Sequence, residues 1–314
     1  MANKRVLTVY FSQTGQLESV VRSITGPLDD ASEINVTYES IRPKQDYPFP
    51  WPFWRFLEVF PECVYMDGPA MAELHVPADD EFDLIILAYQ NWFLSPALPI
   101  TGFLQTPEAK KLLKGKPVIT IIACRNMWIQ GQQKMKRQLE ELGATLIDNI
   151  VLIDQGNSFA NFVTTPRWML TGNKKPFWGF PPAGVAPDDI TRAKRFGVAI
   201  AKGLAADMEK ESKPMCRGLG AATVNPRLIL SEHTAHRSFL IWGTLMRKLG
   251  PQGSTARRIG LLCYLTFLIT FILTFIPITI LLKIILSPLI KRKLATLKAE
   301  YEQPSGSDTA LIAE

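Results

Sequence analysis

Cysteine and histidine are both scarce in this chain of 314 residues. The four cysteines, Cys63, Cys124, Cys216 and Cys263, include no CxxC pair, and the expected state is reduced thiols in a cytosolic compartment. Two of the three histidines form His233-x-x-His236, with no third ligand nearby in sequence, so this reads as a surface or lipid-facing pair and no metal is expected. The segment Met1-Ala-Asn-Lys-Arg5 runs straight into a strand-like stretch with no apolar leader of signal length, so the globular part is expected in the cytoplasm. No GxxxxGK[ST] loop is present, so a nucleotide-triphosphatase phosphate loop is excluded. The net charge of +6 could suggest nucleic acid. However, much of the excess flanks one apolar run: Arg247, Lys248, Arg257 and Arg258 precede it, and Lys291, Arg292 and Lys293 follow it. Basic residues there are better partners for lipid headgroups, and no nucleic-acid motif accompanies them.

What is abundant is apolar sequence arranged in alternating segments. Val6–Phe11 (VLTVYF), Ile34–Ser40, Asp83–Ala88 (DLIILA), Pro117–Ala123 (PVITIIA) and Asn149–Asp154 (NIVLID) read as five buried strands. Between them, Leu17, Val20, Val21 and Ile24 follow helical spacing, with Gly26-Pro27 expected to stop that helix. A second helix is expected to end at Leu112-Leu113. A third is lined by Met135, Leu139 and Leu142 and closes at Gly143. Asp188-Asp189 start another, whose apolar face runs Ile190, Ala193, Phe196, Ile200 and Leu204. Strands alternating with helices predict an α/β fold, a doubly wound five-stranded parallel sheet with helices on both faces.

The expected organisation is one α/β domain over residues 1–213, with two long elaborations at 42–77 and 155–187 that shape a site. Residues 214–258 form a mixed connecting region. Residues 259–290 are a transmembrane or membrane-anchoring segment, and 291–314 a basic then disordered tail. Ile259–Leu282 holds 24 residues without a charge, about 36 Å as a helix, against a hydrocarbon core of ~30 Å. A single crossing is the favoured reading. A hairpin or in-plane anchor is the alternative, because Pro277 sits near the centre and both flanks are basic.

In a doubly wound sheet, ligands bind at the carboxyl ends of the strands. Ser12-Gln13-Thr14-Gly15-Gln16 lies after the first strand. It offers hydroxyl donors at 12 and 14, a glycine for close backbone approach, and a helix N-terminus that favours an anion. With no lysine or arginine, it suits a monophosphate held by neutral donors; an ordinary strand-to-helix turn with a hydroxyl cap reads equally well. The loop resembles the flavodoxin and flavin-reductase family pattern [ST]-x-T-G-x-[TS], matching at Ser12, Thr14 and Gly15 and departing at Leu17, where a hydroxyl is usual. Gln16 or Ser19 could replace the missing donor. The resemblance implies FMN, with its ring between two further loops: Tyr89-Gln90-Asn91-Trp92-Phe93 and Cys124-Arg125-Asn126-Met127-Trp128. Trp92 and Trp128 are the expected walls of the ring. Arg125 would stabilise a reduced, anionic flavin, and Cys124 is either a tuning thiol or a small buried side chain. No general base is identifiable, and Cys124 and Arg125 are the candidates for catalysis.

The stretches YFSQTGQL, AYQNWFLSPALP, FLQTPEAKKLLKGKPV, ACRNMWI and RSFLIWG, with the late apolar helix and Tyr301-x-x-Pro304-Ser305-Gly306, resemble the bacterial dialkylresorcinol condensing enzymes of aryl polyene and flexirubin-type clusters. That resemblance spans nearly the whole chain. It implies an FMN-dependent oxidoreductase that aromatises a dialkylcyclohexane-1,3-dione, a lipid-like small-molecule substrate, beside a ketosynthase and acyl-carrier partner at the cytoplasmic membrane. Two other readings stay open: a membrane-tethered NAD(P)H:quinone reductase or flavodoxin-type electron carrier, and a non-enzymatic scaffold that has lost FMN. The segment Pro48–Trp54 (PFPWPFW), with Phe56 and Phe60, walls an alkyl channel in the first reading; otherwise it is a hydrophobic plug or a homodimer contact. Arg167-Trp168-Met169 and Phe177-Trp178-Gly179-Phe180 pose the same choice.

Overall fold

The computed structural model describes residues 3–156 and 158–312, with only the backbone given for 158–159 and 275–289. Five strands form one parallel sheet: β1 (Lys4–Tyr10), β2 (Ile34–Ser40), β3 (Leu84–Trp92), β4 (Pro117–Cys124) and β5 (Thr145–Ile153). Their order is β2-β1-β3-β4-β5, the flavodoxin-like doubly wound order. Val6, Leu7 and Val9 are fully buried, as are Leu84, Ile85, Ile86 and Leu87. A strand covered on both faces has no reason to alternate, which is why these segments read as unbroken apolar runs.

One face carries α1 (Gln16–Asp29) and α9 (Lys194–Ala205); the other carries α4 (Leu98–Leu104), α5 (Pro107–Leu113) and α6 (Ile129–Glu141). Gly26-Pro27 does not end α1, contrary to the expectation. The helix runs on to Asp29, Leu28 is fully buried in the core, and the Asp30 N–H closes on the Gly26 carbonyl. Packing of the last turn outweighs the N–H that Pro27 lacks. The same turn explains Gly197 on α9, where a Cβ would stand 1.8 Å from the Ile24 carbonyl oxygen.

Four strands exceed their predicted limits, β1 by starting at Lys4 and β4 by reaching Cys124. β3 continues to Trp92 and turns back through Phe93 and Leu94, both at positive φ, so that Ser95–Pro96 pairs antiparallel with Asn91 and Trp92. β5 begins at Thr145, with a register irregularity opposite Val118/Ile119. Its polar pair Asp148-Asn149 interrupts the apolar pattern yet is fully buried.

The elaborations hold α2 (Phe53–Glu58) and α3 (Phe60–Tyr65) in the first, and α7 (Ser158–Thr171) and the start of α8 (Pro187–Arg192) in the second. The connecting region contains a 24-residue helix, α10 (Pro226–Leu249), and the apolar run lies within α11 (Thr255–Tyr301). Thr255–Thr274 of α11 is long and apolar enough to cross a membrane. The tail does not follow the predicted disorder. Residues 302–312 dock on the segment beside β5: Gly220 N–H donates to the Asp308 carbonyl (2.6 Å), Ala222 N–H to Gly306 (3.0 Å), and Leu311 N–H to Gly218 (2.9 Å). Val151 N–H in turn donates to Ala221, so this layer covers the outer edge of β5. The small polar residues of Pro304-Ser-Gly-Ser307 serve backbone pairing and a buried hydrogen bond.

Candidate functional site

The carboxyl ends of β1, β3 and β4 place the three predicted loops side by side, as the strand order requires. Gly15 has φ +79°, exposed backbone, and nothing within 4 Å of where a Cβ would stand. The first-turn N–H groups of α1 have no intrahelical partner. Ser12 Oγ accepts from Glu18 N–H at 3.2 Å, and Thr14 Oγ1 faces Gln16 N–H at 3.5 Å. Both hydroxyls therefore cap the helix and still keep an O–H to donate outward, so the cap and phosphate readings are compatible. Gln16 and Ser19 do not replace the donor missing at position 17. Gln16 Oε1 accepts from Val185 N–H (3.3 Å), and Ser19 Oγ donates to the Gly15 carbonyl. Leu17 itself is fully buried in the core. Gln13 turns the other way: its amide donates to the Tyr47 and Pro48 carbonyls, and its Oε1 accepts from Trp51 Nε1 (3.2 Å). The first elaboration is thereby tied to the first loop.

The two predicted tryptophan walls part company. Trp92 is half-buried, and three rings meet it edge-on: Phe11 at 6.2 Å, Tyr47 at 5.2 Å and Trp51 at 5.2 Å. Trp128 is 1% exposed, in the core cluster beneath α6 with Tyr89 and Met135, and presents no face to a ligand. As the residue preceding α6, it is held by the helix it introduces. Tyr89 is likewise core; its hydroxyl donates to Gln132 Oε1. The half-exposed residues of the two loops are Gln90 to Phe93 and Cys124 to Met127. Asn91 Nδ2 donates to the Met127 carbonyl at 3.3 Å, bridging the second and third loops. Gln90 Oε1 and Asn91 Oδ1 are buried acceptors with no donor among the described residues. A buried polar atom left unpaired costs about 1–3 kcal/mol, so two at one sheet edge point to a ligand with N–H groups.

Sequence reasoning missed α7. Phe162 lies under the Arg125 guanidinium (4.6 Å), and the Met169 carbonyl accepts from Trp51 N–H (2.7 Å), so the helix arches from the third loop to the first elaboration. It adds Asn161 Oδ1 and the hydroxyls of Thr164 and Thr165 to the buried atoms without a partner among the described residues. Its mixed composition, with Pro166 inside, gave no helical signal. Asp154, at the end of β5, accepts from the Gly156 and Gly184 N–H groups, and burial raises its carboxyl pKa. Burial likewise pushes the Cys124 thiol well above its usual range. Burial lowers the Arg125 pKa, offset by the nearby Asp154 charge.

The aromatic segment Pro48–Trp54 acts as a plug around Trp51, which is buried against Tyr47, Phe56 and Trp92. Trp178 is 93% exposed and walls no channel within the chain. His233 Nε2 pairs with the Tyr301 hydroxyl (3.1 Å), burial and neighbouring cations push His236 down to about 4, and no metal-binding cluster exists among the described residues.

No protein-family model and no curated protein matches the sequence. Among solved structures, the chain is similar to a flavodoxin from the domain Archaea, with 13% identity, 64% of this chain and 99% of that one covered, and TM-score 0.37. It is also similar to a flavoprotein in complex with FMN from Lactobacillus acidophilus (15%; 47% and 93% covered; 0.38) and to oxidised flavodoxin 1 from Bacillus cereus (15%; 63% and 98% covered; 0.35). At such scores these likenesses add no weight of their own. The all-parallel β2-β1-β3-β4-β5 sheet, with helices on both faces, is what makes this a flavodoxin-like fold.

Proposed function

We propose that this chain is a membrane-associated flavoprotein that holds FMN at the carboxyl edge of its sheet and aromatises a dialkylcyclohexane-1,3-dione to a dialkylresorcinol. The observation that carries the FMN reading is the convergence there of an open glycine backbone, two outward-capable hydroxyls and unpaired buried acceptors. Ser12, Thr14 and the Gly15 backbone suit the phosphate. Gln90, Asn91, Asn126 and Met127 suit the polar edge of the ring, with Arg125 supplying positive charge beside it. Bound FMN supplies a two-electron acceptor.

Forming the resorcinol removes two hydrogens, one as hydride to the bound two-electron acceptor and one as a proton released to water; dioxygen or another acceptor is the terminal oxidant. The C–H beside a 1,3-dicarbonyl is acidic, and the Arg125 charge stabilises the resulting enolate. The reaction itself rests on the sequence resemblance, supported by an apolar helix that suits a dialkylated, lipid-soluble substrate. A ketosynthase and acyl-carrier partner would deliver that substrate.

Two measurements test this. The purified protein should carry FMN with its visible absorbance, and Thr14→Val with Gly15→Val should lose it; full occupancy in that double variant puts the phosphate elsewhere. Under anaerobic mixing, a 2,5-dialkylcyclohexane-1,3-dione should bleach the flavin as a resorcinol appears in equal amount. Bleaching by NADPH alone would identify a quinone reductase, and no bleaching by either an electron carrier. A colourless protein that binds no added FMN would be a scaffold.

A further inference from the structure

The segment between the two basic flanks has both its ends on one body. Before it, Arg257 is buried and bonded to Glu62 (2.6 Å) and the Glu58 carbonyl (2.8 Å), and Arg258 pairs with Glu58 (2.8 Å). After it, Glu302 accepts from Val224 N–H (2.9 Å), and Ser305 Oγ donates to Asp148 on β5 (2.6 Å). A chain that crossed a bilayer once between these points would carry Glu302 and Ser305 to the side opposite the sheet. They are built into the sheet's own edge.

Helix geometry gives the same answer. Phe267 of α11 packs on Trp242 of α10 (5.2 Å), and Tyr301 of α11 hydrogen-bonds His233 of α10 (3.1 Å). The two contact points on α10 are about 13 Å apart along its axis, whereas the intervening stretch of α11 has a contour of about 51 Å. Side-chain reach does not close that gap, so α11 leaves the body and bends back to it. Residues 268–290 between the contacts are almost wholly apolar, with Lys283 as the one charge and Pro277 and Pro288 as places where a helix bends. The described part of the departing arm offers apolar side chains to its surroundings: Ile269 is 49% exposed and Leu273 69%. Two arms of about a dozen residues reach about 18 Å, close to half of a ~30 Å hydrocarbon core.

We propose that residues 268–290 form a re-entrant helical hairpin that dips into one leaflet and returns to the face it entered, making the protein monotopic. The occupant is the cytoplasmic leaflet of a bilayer rich in anionic lipid. Lys248 stands exposed at one flank, and Lys291, Arg292 and Lys293 at the other. Positive charge at both ends conflicts with a single crossing and agrees with two ends on the cytoplasmic side. This deepens the membrane part of the proposed function and is independent of the flavin.

Cysteines introduced as Lys248→Cys and Lys293→Cys, each in the full chain with Cys263→Ser, decide it by labelling with a membrane-impermeant maleimide in bacterial cells, read above the labelling of the Cys263→Ser parent, which keeps Cys63, Cys124 and Cys216. Both sites should label in inverted membrane vesicles and neither in intact spheroplasts, with the protein in the carbonate-washed membrane pellet. Labelling of Lys293→Cys from outside while Lys248→Cys stays protected would establish a single crossing and overturn the proposal. Recovery of the protein in the soluble fraction would overturn it too. The flavin absorbance of the same preparations reports folding, and it reads the cofactor assignment separately.

Discussion

Ser305 donates its hydroxyl hydrogen to Asp148 Oδ1 at 2.6 Å across 157 positions of chain, and Ser305 Oγ accepts from the Asn149 N–H at 2.6 Å. Asp148 also takes the N–H groups of Met215 and Cys216 on its other oxygen. Three segments distant in sequence thus meet at one buried carboxylate. Ser305→Ala removes two of these hydrogen bonds inside the fold and should cost about 1–3 kcal/mol. The check is a shift in the urea midpoint of the detergent-solubilised protein with little change in its flavin absorbance. A midpoint identical to wild type would show that the tail contributes nothing to the domain.

The sheet was legible because a parallel strand buried on both faces leaves an unbroken apolar run, and all five runs were found. The first loop was legible because glycine at positive φ and two hydroxyls mark a strand-to-helix turn that can take an anion. The tail was not. Pro304-Ser-Gly-Ser307 has the composition of disorder, and long-range partners at Asp148, Arg217 and Ala222 give it structure. Trp128 misled for a related reason: a tryptophan at a loop's end has the same letter whether it faces a ligand or the core, and the helix it precedes turns it inward. Position 17 was read as a missing phosphate donor, whereas the local helix phase sends that side chain into the sheet.

That last point makes a prediction. If position 17 were a phosphate contact, restoring a hydroxyl would tighten FMN. Leu17 is fully buried with Val20, Val21 and Ile24, so Leu17→Ser leaves a cavity and buries a hydroxyl. The expected loss is about 3–5 kcal/mol of stability with no gain in FMN affinity. Thermal unfolding and an FMN titration of the variant read both quantities. Tighter FMN at unchanged stability would return position 17 to the phosphate site.

Glu232 sets a pH dependence. Its carboxylate on α10 is fully buried, accepts the Gln130 N–H at 2.7 Å, and leaves Oε2 without a partner among the described residues. Burial is the main cause that raises its pKa to about 7 from an ordinary 4.5, with the N–H donors at Gln130 and Ile129 opposing it. The folded state therefore binds this proton more tightly than the unfolded chain does. Between those two pKa values the folded form keeps the proton while the unfolded form has lost it, so stability falls as pH rises through the interval. The contribution is fully present below about pH 4.5 and gone above about pH 7. Glu232→Gln keeps the acceptor for Gln130, supplies an N–H₂ in place of the acid proton, and carries no charge to desolvate. The difference in stability between Glu232→Gln and wild type should grow in the variant's favour from pH 5 to pH 8, by an amount on the order of 3 kcal/mol. Urea midpoints of both proteins measured at half-unit steps of pH are the check. Curves that stay parallel over that range would mean that Glu232 is ionised in the folded protein throughout.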